Sequence, residues 1–112
     1  MNIQEEQKGG VCVVRLNEAR LDSNCSSALK TELLRLIENE GVVNLLLDLT
    51  NVDYIDSSGL GALLFGHRHL KGNKGRLKLL HLGQKVQTLI RIANLESILE
   101  GYDDEETALA SF

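Results

Sequence analysis

The sequence predicts a single α/β domain over residues 1–112. Its mixed sheet has four to five strands, an N-terminal hairpin followed by parallel βα units, with about four helices. Three observations predict it. The chain has 112 residues, the size of one hydrophobic core. Short β-branched or leucine-rich runs alternate with longer segments whose apolar residues recur every three or four positions. Proline is absent, so glycines and short polar side chains must punctuate the chain.

Asn2 to Gln7 is the first strand, weakly alternating, and Lys8-Gly9-Gly10 turns it into the β-branched run Val11 to Leu16. Asn17 to Asn24 reads as a loop. A helix is expected from about Ser26 to Asn39, with Leu29, Leu33, Leu36 and Ile37 on one stripe and Gly41 as its stop. Val42 to Leu49 is apolar almost throughout, which suits a strand covered on both faces. Thr50 to Asp56 reads as a loop. A second helix runs from about Ser58 to Lys71, with Leu60, Leu63, Leu64 and Leu70 inward and Gly72 ending it. Arg76 to Leu82 alternates as a strand, and Gln84 to Ala93 is a third helix facing in through Val86, Leu89 and Ile90. Ile98-Leu99 is a short strand. Asp103 and Asp104 start a last helix that reaches Phe112, where acids suit the helix dipole. The order β-β-α-β-α-β-α-β-α implies parallel neighbours joined by right-handed crossovers.

Composition narrows the function. Sixteen acids against twelve bases leave a net charge of −4, unlike a domain that binds a phosphate backbone. With 4% aromatic residues and no Trp, base-stacking platforms are missing too. The expected partner is a protein or a small molecule, not nucleic acid. Cys12 and Cys25 are expected as free thiols in a reducing compartment. Met1 to Lys8 is polar, and apolar runs such as Leu45–Leu47 fall far short of a membrane span. The expectation is a cytoplasmic protein with no membrane partner and no cofactor, a monomer or weak homodimer.

One segment carries candidate chemistry: Asp48-Leu49-Thr50-Asn51-Val52-Asp53-Tyr54-Ile55-Asp56-Ser57-Ser58-Gly59-Leu60-Gly61. It leaves the carboxyl end of the most apolar strand, where open α/β sheets place their sites. Ser57 is expected as the helix N-cap, putting Ser58 in the first turn among unpaired amides at the positive end of the dipole. A phosphate there would not require the helix to unfold. Gly59 and Gly61 keep the surface beside Ser58 low. The same residues also make a plain capping sequence.

Ile55-Asp56-Ser57-Ser58-Gly59-Leu60-Gly61 after a Leu-Leu-Leu-Asp-Leu strand resembles the signature of the STAS family, the bacterial anti-sigma-factor antagonists. The resemblance spans the chain: the opening hairpin, Arg20-Leu21-Asp22, the Arg76–Leu80 strand and the closing Tyr102–Leu109 segment follow in the expected order. Departures are Ala19 in place of a glycine, Gly83-Gln84 in place of Ser-Pro or Thr-Pro, and Ala93-Asn94-Leu95 in place of Thr-Gly-Leu. The resemblance implies that Ser58 is a phosphoacceptor. The unmodified protein would bind an ATP-dependent anti-sigma factor serine kinase and free its sigma factor. Phosphorylation would release the kinase, and a PP2C-type phosphatase would reset the serine. Asp22, Asp56, Ser57, Ser58, Gly59, Leu60 and Gly61 would form the partner-binding surface, with Asp22 near Ser58. Within the same resemblance, some members are non-phosphorylated scaffolds or subunits of larger complexes such as transport assemblies; the double serine favours the switching type.

Other chemistries fare worse. His67 lies nine residues past Ser58 on the same helix, roughly 14 Å along its axis, too far to act as its base. His81 ends a strand that could neighbour the Val42–Leu49 strand, but no third group in the sequence orients it. Asp48 ends a central strand as a receiver phosphoacceptor would, yet the acidic pair and lysine of a receiver are missing, and local pairing is expected instead. His67 and His69 point roughly 200° apart and cannot share an ion. Gly59-Leu60-Gly61 lacks the Lys-Ser/Thr of a P-loop. Lys71, Lys74, Arg76 and Lys78 read as a solvated basic rim.

Overall fold

Gly9 and Gly10, at φ of +56° and +83°, supply the two left-handed residues that a two-residue hairpin turn needs. They join β1 (Ile3–Lys8) to β2 (Val11–Leu16) in antiparallel register from Lys8↔Val11 to Ile3↔Leu16. The first strand therefore sits one residue later than its alternation suggests, because the glycines alone make the turn and Lys8 still pairs. The computed structural model describes residues 1–112.

Two segments expected as loops each hold a two-residue strand. β3 (Arg20–Leu21) pairs in parallel with β5 (Tyr54–Ile55) as a separate ribbon. Between them, α1 (Ser26–Leu34) continues into a wider π-helical turn, Arg35–Asn39, which brings the adjacent Leu36 and Ile37 both into the core. β4 (Asn44–Asp48) follows, shorter at both ends than the apolar run. Next come α2 (Ser57–Gly72), β6 (Arg76–Leu80), α3 (Gln84–Ile92), β7 (Gly101–Tyr102) and α4 (Glu105–Ala110). The expected strand at Ile98-Leu99 is not formed. Both amides bond back to Leu95 O, Leu99 plugs the core, and the two residues after Glu100 pair with β6 instead. β6 stops two residues early because His81 turns to φ +57°. The main sheet runs β1-β2-β4-β6-β7, parallel after the hairpin, and has the mixed α/β architecture expected.

Side chains alternate across this sheet. Val14, Leu16, Leu45, Leu47, Leu77 and Leu79 meet the buried stripes of α1, α2 and α3 in one large core. Val11, Val13, Leu46 and Leu80 face the other way, where Ala108 of α4 packs on them. That second face is polar towards its edges. The Arg15 guanidinium bonds Asp48 at 2.9 Å, Glu105 at 2.8 Å and Glu6 at 2.9 Å, and Lys8 joins Glu105 at 2.5 Å. Lys78 is not on a solvated rim: it is 3% exposed, and its ammonium bonds the Ser111 carbonyl and hydroxyl at 2.9 Å.

Arg15 and then Lys8 hold the Glu105 carboxyl down to about 2, against its ordinary 4.5. Its stabilising share is therefore complete above pH 4.5 and disappears as pH falls through about 2. The carboxylate is 23% exposed, so after screening by solvent we expect Glu105→Gln to cost about 1–2 kcal/mol at pH 7. Denaturant melts across pH should show wild type and variant converging towards pH 2; a gap that stayed constant would contradict the assignment.

Candidate functional site

The ribbon of β3 and β5 sets the position of the α2 N-terminus. Leu21 and Ile55 pair in register and turn into the core. The amide of Asp56 continues the ladder to Leu21 O at 3.3 Å. Alternation then puts Arg20, Asp22, Tyr54 and Asp56 on the opposite, outward face.

Asp56, not Ser57, is the N-cap. Its backbone is extended and Oδ1 accepts from the amides of Ser58 at 2.9 Å and Gly59 at 3.1 Å. The reason is tertiary: the bond to Leu21 O keeps Asp56 extended, so the helix begins one residue earlier than expected. Two of the amides expected to be free are thus already satisfied by a carboxylate.

The predicted residues separate into those at the surface and those that hold the surface in place. Ser57 is exposed, Ser58 is half-buried in the first turn, and Gly61 opens onto space with nothing within 4 Å of where a Cβ would be. Gly59 is buried against β3. A methyl there would overlap Leu21 O and lie 2.9 Å from Ile55 Cγ1. Leu60 is turned into the core, 8% exposed, so its role is packing rather than contact with a partner. Asp22 is also largely covered, with Oδ1 accepting from the Asn24 amide and Oδ2 from Arg20 Nε. It lies one residue past Leu21, as Asp56 lies one past Ile55, and its carboxylate mainly shapes the loop.

The structure adds two residues that sequence reasoning missed. The Arg20 guanidinium lies 4.0 Å over the Tyr54 ring, and together they form the outer row of the ribbon. Both lie in segments that the sequence singles out, but it gives neither a role, because a two-residue strand has no period to show that they pair.

His81 belongs to a different cluster. Its Nδ1 is 2.8 Å from Thr50 Oγ1 and 3.4 Å from Asp48 Oδ1. Asp48 pairs locally, as expected. Burial pushes its carboxyl up, but the Thr50 hydroxyl, Arg15 and the Thr50 amide outweigh that and hold it below its ordinary value.

Residues 2–108 match the STAS domain family. The Anti-sigma F factor antagonist of Paenibacillus polymyxa is 28% identical over 97% of this chain and 92% of its own length. The Anti-sigma-B factor antagonist of Bacillus subtilis is 30% identical, covering 89% of this chain and 91% of that protein. Among solved structures, SpoIIAA of Bacillus in its phosphorylated form superposes with a TM-score of 0.74 at 21% identity, over 99% of this chain and 100% of that one.

Proposed function

We propose that this chain, which belongs to the STAS domain family, is an anti-sigma factor antagonist switched by phosphorylation of Ser58. Unmodified, it binds an anti-sigma factor serine kinase and so frees the sigma factor. The ATP-dependent kinase then esterifies the Ser58 hydroxyl and lets go, and a PP2C-type phosphatase restores the serine. The protein itself is a regulatory binding module and not an enzyme. The observation that carries this reading is the setting of Ser58, partly exposed at a helix start whose cap is already filled.

The filled cap decides what a phosphate does. Asp56 occupies the Ser58 and Gly59 amides, so those two donors are not free to absorb the anion. A group of about −1.5 to −2 charge then stands outward beside the Asp56 carboxylate. The kinase, packed against a small hydroxyl, meets an oxyanion of larger size backed by like charge, and the contact is lost through local repulsion.

We expect Ser58→Ala to bind the kinase as wild type does and to resist phosphorylation. Ser58→Asp should bind about 100-fold more weakly, since each tenfold needs only about 1.4 kcal/mol. Calorimetric titration of the neighbouring histidine-kinase-like anti-sigma protein measures both, and equal affinities would refute the switch. Backbone amide shifts on phosphorylation should change only around the start of α2 and the ribbon. Failure of the kinase to phosphorylate Ser58 would favour a scaffold role.

A further inference from the structure

We infer that Arg20, held on Tyr54, is the residue by which this protein selects its kinase, and that it recognises a carboxylate on the kinase surface. The inference rests on the partner-switching reading and adds to it a specificity contact and its chemistry.

Three features of Arg20 lead there. The side chain is 60% exposed, yet it is not free to wander. Its guanidinium is stacked 4.0 Å above the Tyr54 ring, and its Nε donates to Asp22 Oδ2 at 3.1 Å. Those contacts use the face of the guanidinium and one of its N–H groups. The two terminal nitrogens take part in no other hydrogen bond or ion pair of the protein, and their parallel N–H groups match the two oxygens of a carboxylate. An arginine whose rotamers are already restricted gives up little entropy on binding, which is why stacked Arg and Tyr dominate many interfaces.

Position supplies the second half. Arg20 precedes Leu21, whose carbonyl oxygen lies against Gly59, and Tyr54 precedes the Asp56 cap by two residues on the same face of the ribbon. Ser58 follows Asp56 by two residues, so a kinase docked on its hydroxyl has this face of the ribbon as its neighbour. Along the two segments that form the ribbon, residues 17–22 and 53–56, the other charged groups are acidic: Glu18, Asp22, Asp53 and Asp56. Arg20 is the one cation of these segments, so it marks a point where a negative group on the kinase is favoured. A kinase presenting a basic group there is repelled, which is how one charge discriminates among similar partners.

Arg20 touches none of the reacting atoms, so its effect is on docking and not on phosphoryl transfer. The test measures binding of the unphosphorylated protein to its kinase at low and high salt, together with the steady-state rate of Ser58 phosphorylation. Arg20→Gln should weaken binding about 10-fold and Arg20→Glu about 100-fold. Arg20→Lys, a point charge without the planar fork, should fall between wild type and Gln. The KM for the protein substrate should rise accordingly while kcat stays unchanged, and the wild-type advantage should shrink at high salt. Tyr54→Leu should reproduce part of the loss by releasing the guanidinium. Melting temperatures should change little, since the side chain is at the surface. Arg20→Glu binding and being phosphorylated like wild type would overturn this inference while leaving the Ser58 switch intact. Wild-type protein failing to bind the kinase at all would overturn both.

Discussion

Gly59→Ala should lower the stability of this protein by about 3 kcal/mol, because the added methyl overlaps backbone and not a side chain that can swing away. The obstacle is the Leu21 carbonyl, with Ile55 Cγ1 2.9 Å away on the other side. Leu21 O also accepts the Asp56 amide, and Leu21 and Ile55 are paired in the ribbon. Relief must come from moving α2 away from β3, which stretches the ladder that keeps Asp56 in its capping geometry. A loss of this size in so small a domain corresponds to a fall of about 15 °C in melting temperature. Gly61→Ala is the control. Its Cβ meets nothing within 4 Å, and alanine is worth up to about 1 kcal/mol over glycine inside a helix. That variant should be as stable as wild type or more so and, if the kinase docks on Ser58 as proposed, should bind it more weakly because the methyl crowds the approach. Equal melting temperatures for the two variants would show that α2 and β3 are not locked together in this way.

Lys78→Ala should cost about 2–3 kcal/mol and loosen α4, an effect no surface lysine would produce. The Lys78 ammonium lies 5.3 Å from the Tyr102 ring and 5.2 Å from that of Phe112, and it donates to the Ser111 carbonyl and hydroxyl. α4 is only six residues long, too short to hold its shape without tertiary contacts. It is fastened by Arg15 and Lys8 on Glu105 at its start and by Lys78 just past its end. Truncation to Ala leaves a cavity under Phe112 and removes the donor to Ser111. Lys78→Met, which fills the volume, should cost only about 1 kcal/mol. Hydrogen exchange of the amides from Ala108 to Phe112 reads the local effect; protection unchanged in Lys78→Ala would show that the ammonium does not hold the helix.

The large elements were legible because each has a period. Val11–Leu16 and the leucine run to Leu49 declared strands, and the i, i+3, i+4 leucines of α1 and α2 declared helices. Ser58 was legible as well, through a motif and through the cap-like residues around it. The ribbon was not, since Arg20–Leu21 and Tyr54–Ile55 are two residues each and their pairing joins positions 34 apart in the chain. Lys78 was misread for a related reason. On β6 it alternates away from the large core, onto the face that the sequence reads as open to solvent, and the return of α4 and the last residues across that face buries it.

By itself the sequence determined the α/β class, the order of the main elements, the inward stripes of the first three helices and the serine at the start of the second long helix. All of these depend on residues close together in the chain, whose spacing and side-chain chemistry act before any distant contact forms. Only the tertiary structure decided that Asp56 rather than Ser57 caps α2, that Asp22 is covered, and that Arg20 stands over Tyr54. Asp56, Ser57 and Ser58 are all competent caps, and local energetics barely separates them. The bond from the Asp56 amide to Leu21 O, made across the fold, selects one, and with it where each serine hydroxyl stands in the first turn.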